Sequence, residues 1–351
     1  MSDLLNDDFE RRLIENTQPV RYFFLASALH HALDLGILAE LGRRPGIEED
    51  ALAGALDLDP HRTGALLRFL RNEGYTTFTS DGTGWSLSSK GREVQTFAPW
   101  YEMLVGGYAL SMEQLGDVMR DGTRYAERNT TKVGEGSCGI GAYDALPLVE
   151  QLLDHAARNG GPETIVDLGC GDGSFLMDLL VARPELHGIG VEPHAGSVEL
   201  GERRRAELGL ENRMSLVQGA AHDALKVDLP EGGRGICFMT AFVLQEVMQQ
   251  QGQQAIEDLL ASTFELYPEA RWLVVEMDHQ PLAPVMGTHG LAQTFYNPYF
   301  LIHAATEQRL ETRTWWDQLF ARLGLTTEAV ANPDPRADST GLQFGVLLKK
   351  G

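Results

Sequence analysis

From Thr164 onward the chain alternates short apolar runs with stretches of helical spacing. TIVDL, HGIGVE, MSLVQG, GICFMTAF and WLVVE are each short and bounded by charged or turn-forming residues. This pattern predicts buried strands beginning at Thr164, His187, Met214, Gly235 and Trp272, with helical spacing between them. Strands alternating with helices imply an α/β fold with a doubly wound parallel sheet, whose ligands gather at the carboxyl ends of the strands. The first part of the chain is patterned differently. Leu25, Leu29, Leu33 and the Leu35–Leu38 run recur at helical spacing, residues 51–56 and 62–70 predict two more amphipathic helices, and Gly74 closes the last. Residues 75–78 and 85–87 then predict a hairpin about a turn at Asp81 to Gly84. Helices followed by a hairpin suggest a winged helix.

Between these halves, residues 97–126 predict long helices interrupted at Gly106 and Gly107, where close approach of another helix or a ligand is the simplest reason for glycine. RNTTKVGEGSCGIGAYD, residues 128–144, is glycine-rich and polar, and predicts an irregular segment lining the active site. The chain is thus divided into 1–95, 96–144 and 145–351. With 351 residues it can bury a sizeable core in each of two domains. Acids outnumber bases, 50 to 29, giving a net charge of -21. That field repels nucleic acid and anionic membranes and attracts a cationic substrate. The hairpin-bearing part accordingly lacks the basic cluster a DNA-binding winged helix needs. No apolar stretch approaches about 18 residues, and MSDLLNDDFERR is acidic where a secretion signal is basic, so the expected location is the cytoplasm. Cys138, Cys170 and Cys237 lack metal-ligand spacing and read as reduced thiols.

The chemistry starts at Asp167, where D-x-G-x-G-x-G runs to Gly173. Gly169, Gly171 and Gly173 let a turn press its main chain against a ligand. A nicotinamide-type G-x-G-x-x-G is excluded, because Ser174 stands three residues after Gly171. The stretch resembles motif I of the S-adenosylmethionine-dependent methyltransferases. The resemblance implies a class I, Rossmann-like domain and S-adenosylmethionine as cofactor, contacted by Asp167, Gly169, Gly171, Asp172 and Gly173. Glu192 ends the second strand at the place where such sheets hold a ribose. Gly219 and Ala220 follow the third, where the family pattern carries an acid for the adenine; here the position is Ala220, with Asp223 a turn later.

Nearly the whole chain resembles the small-molecule O-methyltransferases of plants and bacteria. That resemblance implies a homodimer whose amino-terminal domains pair and roof the substrate site. It also implies a His-Asp pair after strand four, where this sequence has Gln245 and Glu246. Glutamine cannot take a proton, so a phenolic acceptor is not expected, and the acids Glu246, Glu276 and Asp278 gain weight. Tyr143 and Asp144 are candidate substrate contacts or caps of a helix at Ala145. Tyr296, Asn297 and Tyr299 are further candidates in an aromatic-rich segment that also holds His289 and His303. By its spacing to Trp316, His303 resembles the second metal ligand of phenylpyruvate C-methyltransferases. The first has no counterpart, Phe242 or Gln245 standing in its place, so no metal site is expected.

Through PVRYFFLASALHHALDLGI, LVGGYA, GEGSCGIGAYDALPL, FVLQEV and NPYFLIHAATEQRLE the sequence resembles the 2-ketoarginine methyltransferase family. The resemblance implies a substrate with an α-keto acid at one end and a guanidinium at the other, methylated on its β-carbon in specialised-metabolite biosynthesis. The residue chemistry agrees on the guanidinium, which favours paired carboxylates such as Glu246 and Glu276, but it leaves the methylated atom open. N-methylation of free L-arginine is the alternative. A reading from another class is a cofactor-binding protein without turnover.

Overall fold

The structure is a computed structural model that describes residues 8–79, 82–158, 160–221, 229 and 231–351. Asp81 and Asp223 therefore lie outside the described residues. The chain folds as two units, Met1–Gly107 and Tyr108–Gly351, with the boundary inside the 96–144 stretch.

In the first unit, helices Phe9–Asp34, Ile37–Arg43, Glu49–Ala55 and Pro60–Asn72 precede a two-stranded antiparallel ribbon of β1 (Thr76–Phe78) and β2 (Trp85–Leu87). Leu29, Ile37, Leu38, Leu41, Leu52, Leu67, Leu70 and Trp85 form its core. The interruption at Gly106 has the expected cause. A Cβ there would stand 2.5 Å from Cε1 of His30, so the π-helical turn Glu102–Gly107 can pass the helix Phe9–Asp34 only with glycine. Helix Phe9–Asp34 leaves Leu13, Ile14, Val20, Tyr22, Phe23 and Phe24 exposed.

The second unit is built on a seven-stranded sheet: β3 (Thr164–Leu168), β4 (His187–Glu192), β5 (Met214–Gln218), β6 (Ile236–Ala241), β7 (Arg271–Met277), β8 (Leu325–Ala331) and β9 (Gln343–Lys350). The strand order is β5-β4-β3-β6-β7-β9-β8, with β3 to β7 parallel and β9 antiparallel to both neighbours. All five expected strands are present. The last two complete a mixed sheet that the periodicity did not reveal. From β3 the chain winds outward through β4 and β5, then returns to the other side of β3 as β6. Helices cover both faces, with Leu148, Leu152, Leu176 and Leu180 in one core and Leu260, Trp272, Trp316 and Phe320 in the other.

One expectation is corrected here. The glycine-rich stretch 128–144 is largely a helix, Thr130–Gly141, capped by the Asn129 side chain accepting from Lys132 N. Its glycines serve contact as well as flexibility: a Cβ on Gly141 would reach 3.2 Å from the ring of Phe175, on the helix that follows β3. Among the described residues no single helix is long and apolar enough to cross a membrane.

Candidate active site

The return of the chain at β3 leaves a crevice between the turns that follow β3 and β6, the place where open α/β sheets bind ligands. On the β3 side, Gly169, Gly171 and Gly173 have φ of 77°, 58° and 72°. Their roles differ. A Cβ on Gly169 would come within 2.8 Å of Val243, and one on Gly173 within 2.9 Å of Met214, so both are glycine for internal packing. A Cβ on Gly171 would meet nothing within 4 Å. Gly171 is therefore the position where the main chain lies open to a ligand.

Glu192 closes the cradle. One carboxylate oxygen accepts from Gly171 N at 3.0 Å and the other from His194 N at 2.9 Å, and each keeps capacity for a further donor such as a ribose hydroxyl. Gly219 N donates to Glu192 O, fixing the chain into Ala220. Asp167 is buried and accepts no hydrogen bond from the described residues, and burial with the nearby Glu192 charge pushes its carboxyl up to about 7. Such an acid favours a cationic ligand group. Asp172 is instead engaged internally: it accepts from Ser174 N and Ser174 Oγ, beside Arg204. It braces the turn just before the helix Ser174–Ala182 and is a structural support of the cradle.

On the β6 side, Phe242 takes φ +60°, a strained value for a bulky residue. Phe242 N donates to Val275 O at 3.0 Å, and its carbonyl accepts from Gln245 Nε2 at 3.2 Å. This bend aims the helix Leu244–Gln251, which carries Gln245 and Glu246, across the crevice. Gln245 Nε2 also reaches Tyr299 Oη at 3.3 Å and His303 Nε2 at 3.5 Å, while its Oε1 is buried without a partner. Tyr299 and His303 stack with centroids 3.8 Å apart. His303 Nδ1 lies 2.7 Å from Tyr299 O, which assigns the proton to Nδ1. Burial lowers the imidazole to about 3, so it is neutral and presents a lone pair to the Gln245 amide.

Glu246 sits at the centre of this network. Its Oε1 accepts from Arg128 Nη2 at 2.8 Å and from Gln308 Nε2 at 3.1 Å, and Gln308 in turn accepts from Tyr108 Oη at 3.1 Å. Its Oε2 takes no partner among the described residues, and the side chain keeps 37% of its exposure. Arg128 is deep, with 13% of its side chain exposed; the Tyr108 hydroxyl stands beside its guanidinium, and Nη1 is buried without a well-formed hydrogen bond. Arg128, Tyr108 and Gln308 were not singled out in the sequence. The available signal was a lone arginine opening the glycine-rich segment.

Several sequence-based roles change. Glu276 is fully buried behind the helix Leu244–Gln251 and accepts from Leu244 N at 3.1 Å, with burial pushing it up to about 8. It is a cap for that helix, so the expected guanidinium clamp of Glu246 with Glu276 does not match the geometry, Glu246 itself being paired with Arg128. Asp278 accepts from Arg313 N at 2.8 Å, at the head of the helix Arg313–Arg322 that Thr312 caps. Asn297 is exposed at the head of the helix Asn297–Ala305, away from the buried faces that carry Tyr299 and His303. Tyr143 is exposed too, whereas Asp144 is buried and caps Ala145 N at 2.5 Å. Among the described residues no group of three or more His, Cys, Asp or Glu side chains is placed to hold a metal.

Solved structures that share this fold are methyltransferases. The structure of the mitomycin 7-O-methyltransferase MmcR matches with a TM-score of 0.68 and 18% identity, covering 97% of this chain and 99% of that one. The riboflavin-analogue dimethyltransferase RosA of Streptomyces davawensis matches with a TM-score of 0.60 and 18% identity, over 97% and 99% of the two chains. No family model matches the chain. The fold and the cradle place the protein in the class I methyltransferases. Within that class, it is 41% identical over 350 residues to the 2-ketoarginine methyltransferase of Streptomyces arginensis, covering 99% of this chain and 98% of that protein. The chain belongs to the 2-ketoarginine methyltransferase family.

Two outcomes follow from the cradle and its buried acids. Gly171→Val adds a branched side chain in the open face of the turn and strains a left-handed residue, so calorimetric affinity for S-adenosylmethionine is expected to fall at least about tenfold. Retained affinity in the folded variant contradicts the cradle. Asp167 and Glu276 titrate far above the usual carboxylate value of about 4, so the native state binds protons that the unfolded chain releases. Their stabilising contribution is complete below that value and is lost as pH rises through about 7 and about 8. The melting-temperature contribution of these two acids should therefore fall between about pH 4 and about pH 8, and Glu276→Gln should flatten that fall. The same pH dependence in wild type and Glu276→Gln contradicts it.

Proposed function

We propose that the protein methylates the β-carbon of 2-ketoarginine, 5-guanidino-2-oxopentanoate, as a step in specialised-metabolite biosynthesis. The observation that carries this reading is the buried Nη1 of Arg128, without a well-formed hydrogen bond, beside Glu246 at the end of β6, in a chain of this family. An arginine so placed favours an anion in planar contact, as the carboxylate of a 2-oxo acid supplies.

The cofactor is S-adenosylmethionine, and the cradle fits it: Gly171 leaves room for close approach, Glu192 has acceptors for ribose hydroxyls, and Asp167 suits a cationic group. When bound, it supplies an electrophilic methyl group on a sulfonium. The chain's own task is to hold the acceptor and remove a proton. Arg128 holds the carboxylate end and stabilises negative charge as the 2-oxo acid becomes its enolate. Glu246 Oε2, unpartnered and reachable from solvent, takes the β-proton; the C–H electron pair then forms the double bond that makes the β-carbon nucleophilic. Gln245, whose Nε2 is held by Phe242 O and Tyr299, leaves Oε1 free to accept from the hydroxyl of the acceptor's enol form. His303 and Tyr299 fix that amide from behind, so both are positioning residues.

We also propose a cytoplasmic homodimer. Its support is the row of exposed apolar residues on the helix Phe9–Asp34, from Leu13 to Phe24, a surface that favours burial against a second copy. Phe23→Asp with Phe24→Asp should yield a monomer by light scattering at micromolar concentration; an unchanged dimer, or a monomeric wild type, contradicts the assembly.

The acceptor is tested by supplying labelled S-adenosylmethionine with 2-ketoarginine, L-arginine or phenylpyruvate separately. Methyl transfer is expected with 2-ketoarginine above the other two, and preference for L-arginine overturns the reading. Arg128→Gln should raise KM for 2-ketoarginine by about tenfold to a hundredfold, the loss of one charge-assisted contact. An unchanged KM removes Arg128 from the acceptor site.

A further inference from the structure

The Arg128 network accounts for the anionic end of the acceptor and leaves its cationic end without a partner. A second polar cluster lies at the carboxyl end of β7. Gln343 opens β9 opposite Met277, the last residue of β7, and it is fully buried with neither Oε1 nor Nε2 in a well-formed hydrogen bond. Its amide lies beside the carboxylate of Asp144. Asp144 caps the following helix through Oδ1, and the neutral Gln343 amide is the side-chain donor beside its carboxylate. Asp338, also buried, accepts from Thr340 N and Oγ1, both at 2.7 Å, through Oδ1, and from the Tyr296 hydroxyl through Oδ2.

Neither acid has a cationic partner among the described residues, and they repel each other: burial first, and Asp338 as a smaller cause, raise Asp144 to about 7. Two buried carboxylates and an amide without a well-formed hydrogen bond are an expensive arrangement for a core and a suitable one for a cation. The missing group has to offer several N–H donors in one plane, because the carboxylate oxygens of Asp144 and Asp338 and Oε1 of Gln343 are all acceptors. A guanidinium has that shape.

We infer that Asp144, Asp338 and Gln343 form the guanidinium subsite of the acceptor pocket, with Tyr296 holding Asp338 in place. The inference rests on the proposed function and assigns a different pair of acids from the Glu246 and Glu276 that the sequence suggests. Spacing supports it. Tyr296, bonded to Asp338, and Tyr299, bonded to Gln245, are three residues apart on one continuous helical segment, about one turn or 5 Å. The two tyrosines thus stand about one turn apart along the chain, each bonded to a different polar set.

The test compares 2-ketoarginine with 5-ureido-2-oxopentanoate, a neutral analogue of nearly the same shape. Wild type should favour the guanidino compound in kcat/KM. In Asp338→Asn and in Asp144→Asn, where asparagine can still cap the helix, that preference should shrink about 10- to 100-fold. Gln343→Met replaces the amide with an apolar side chain of similar length, and it should lose part of the preference. Unaltered cofactor affinity serves as the check on folding. Wild type that methylates 2-ketoarginine, with folded variants that keep its full preference, overturns the subsite alone. Wild type that methylates neither compound overturns the functional reading and the subsite with it.

Discussion

The reversal of winding at β3 is the constraint on which the site depends. Because β4 and β5 leave on one side of β3 and β6 returns on the other, no crossover helix covers the ends of β3 and β6 where they part. Two backbone distortions exploit that opening. The run of left-handed glycines after β3 exposes main chain at Gly171, and the left-handed Phe242 after β6 turns the helix Leu244–Gln251 inward. The sheet fixes both, since Gly169 N is bonded to Val191 O and Phe242 N to Val275 O. Donor and acceptor are thus brought together by strands whose own residues take little part in the chemistry.

Burial sets the electrostatics. Asp144, Asp167 and Glu276 are all raised by desolvation, yet their surroundings separate their tasks. Glu276 accepts from the start of a helix and stabilises it. Asp167 and Asp144 have acceptor capacity unused by the chain, one in the cofactor cradle and the other beyond β7. Arg128 carries the complementary charge, and its pairing with Glu246 holds one face of the guanidinium while leaving Nη1 for a ligand. In a chain with a net charge of -21, the proposed acceptor site would have a cation at one end and acids at the other.

Local pattern made much of this legible. D-x-G-x-G-x-G and Glu192 marked the cradle because close backbone approach leaves glycine in the sequence, and the five parallel strands stood out as compact apolar runs. The closing strands did not, since β9 pairs with the distant β7 as well as with β8 just before it, across the polar stretch ANPDPRADSTG. The 128–144 stretch read as irregular because its glycines lower helix propensity, whereas tertiary contact with Phe175 is what favours small residues there. Glu276 drew attention as an acid at a strand end, and only the structure shows that its oxygen faces Leu244 N. Arg128 and Gln343 carry no local motif at all. Their significance lies in buried polar atoms, Arg128 Nη1 and the Gln343 amide, that lack well-formed hydrogen bonds, a property that sequence spacing does not express.

The position of the transferred methyl group tests the account most directly. With the donor methyl labelled in carbon-13 and 2-ketoarginine as acceptor, the account predicts a product methyl coupled to a single hydrogen on carbon 3, with the guanidinium nitrogens unmodified. A methyl group on nitrogen or oxygen would contradict it.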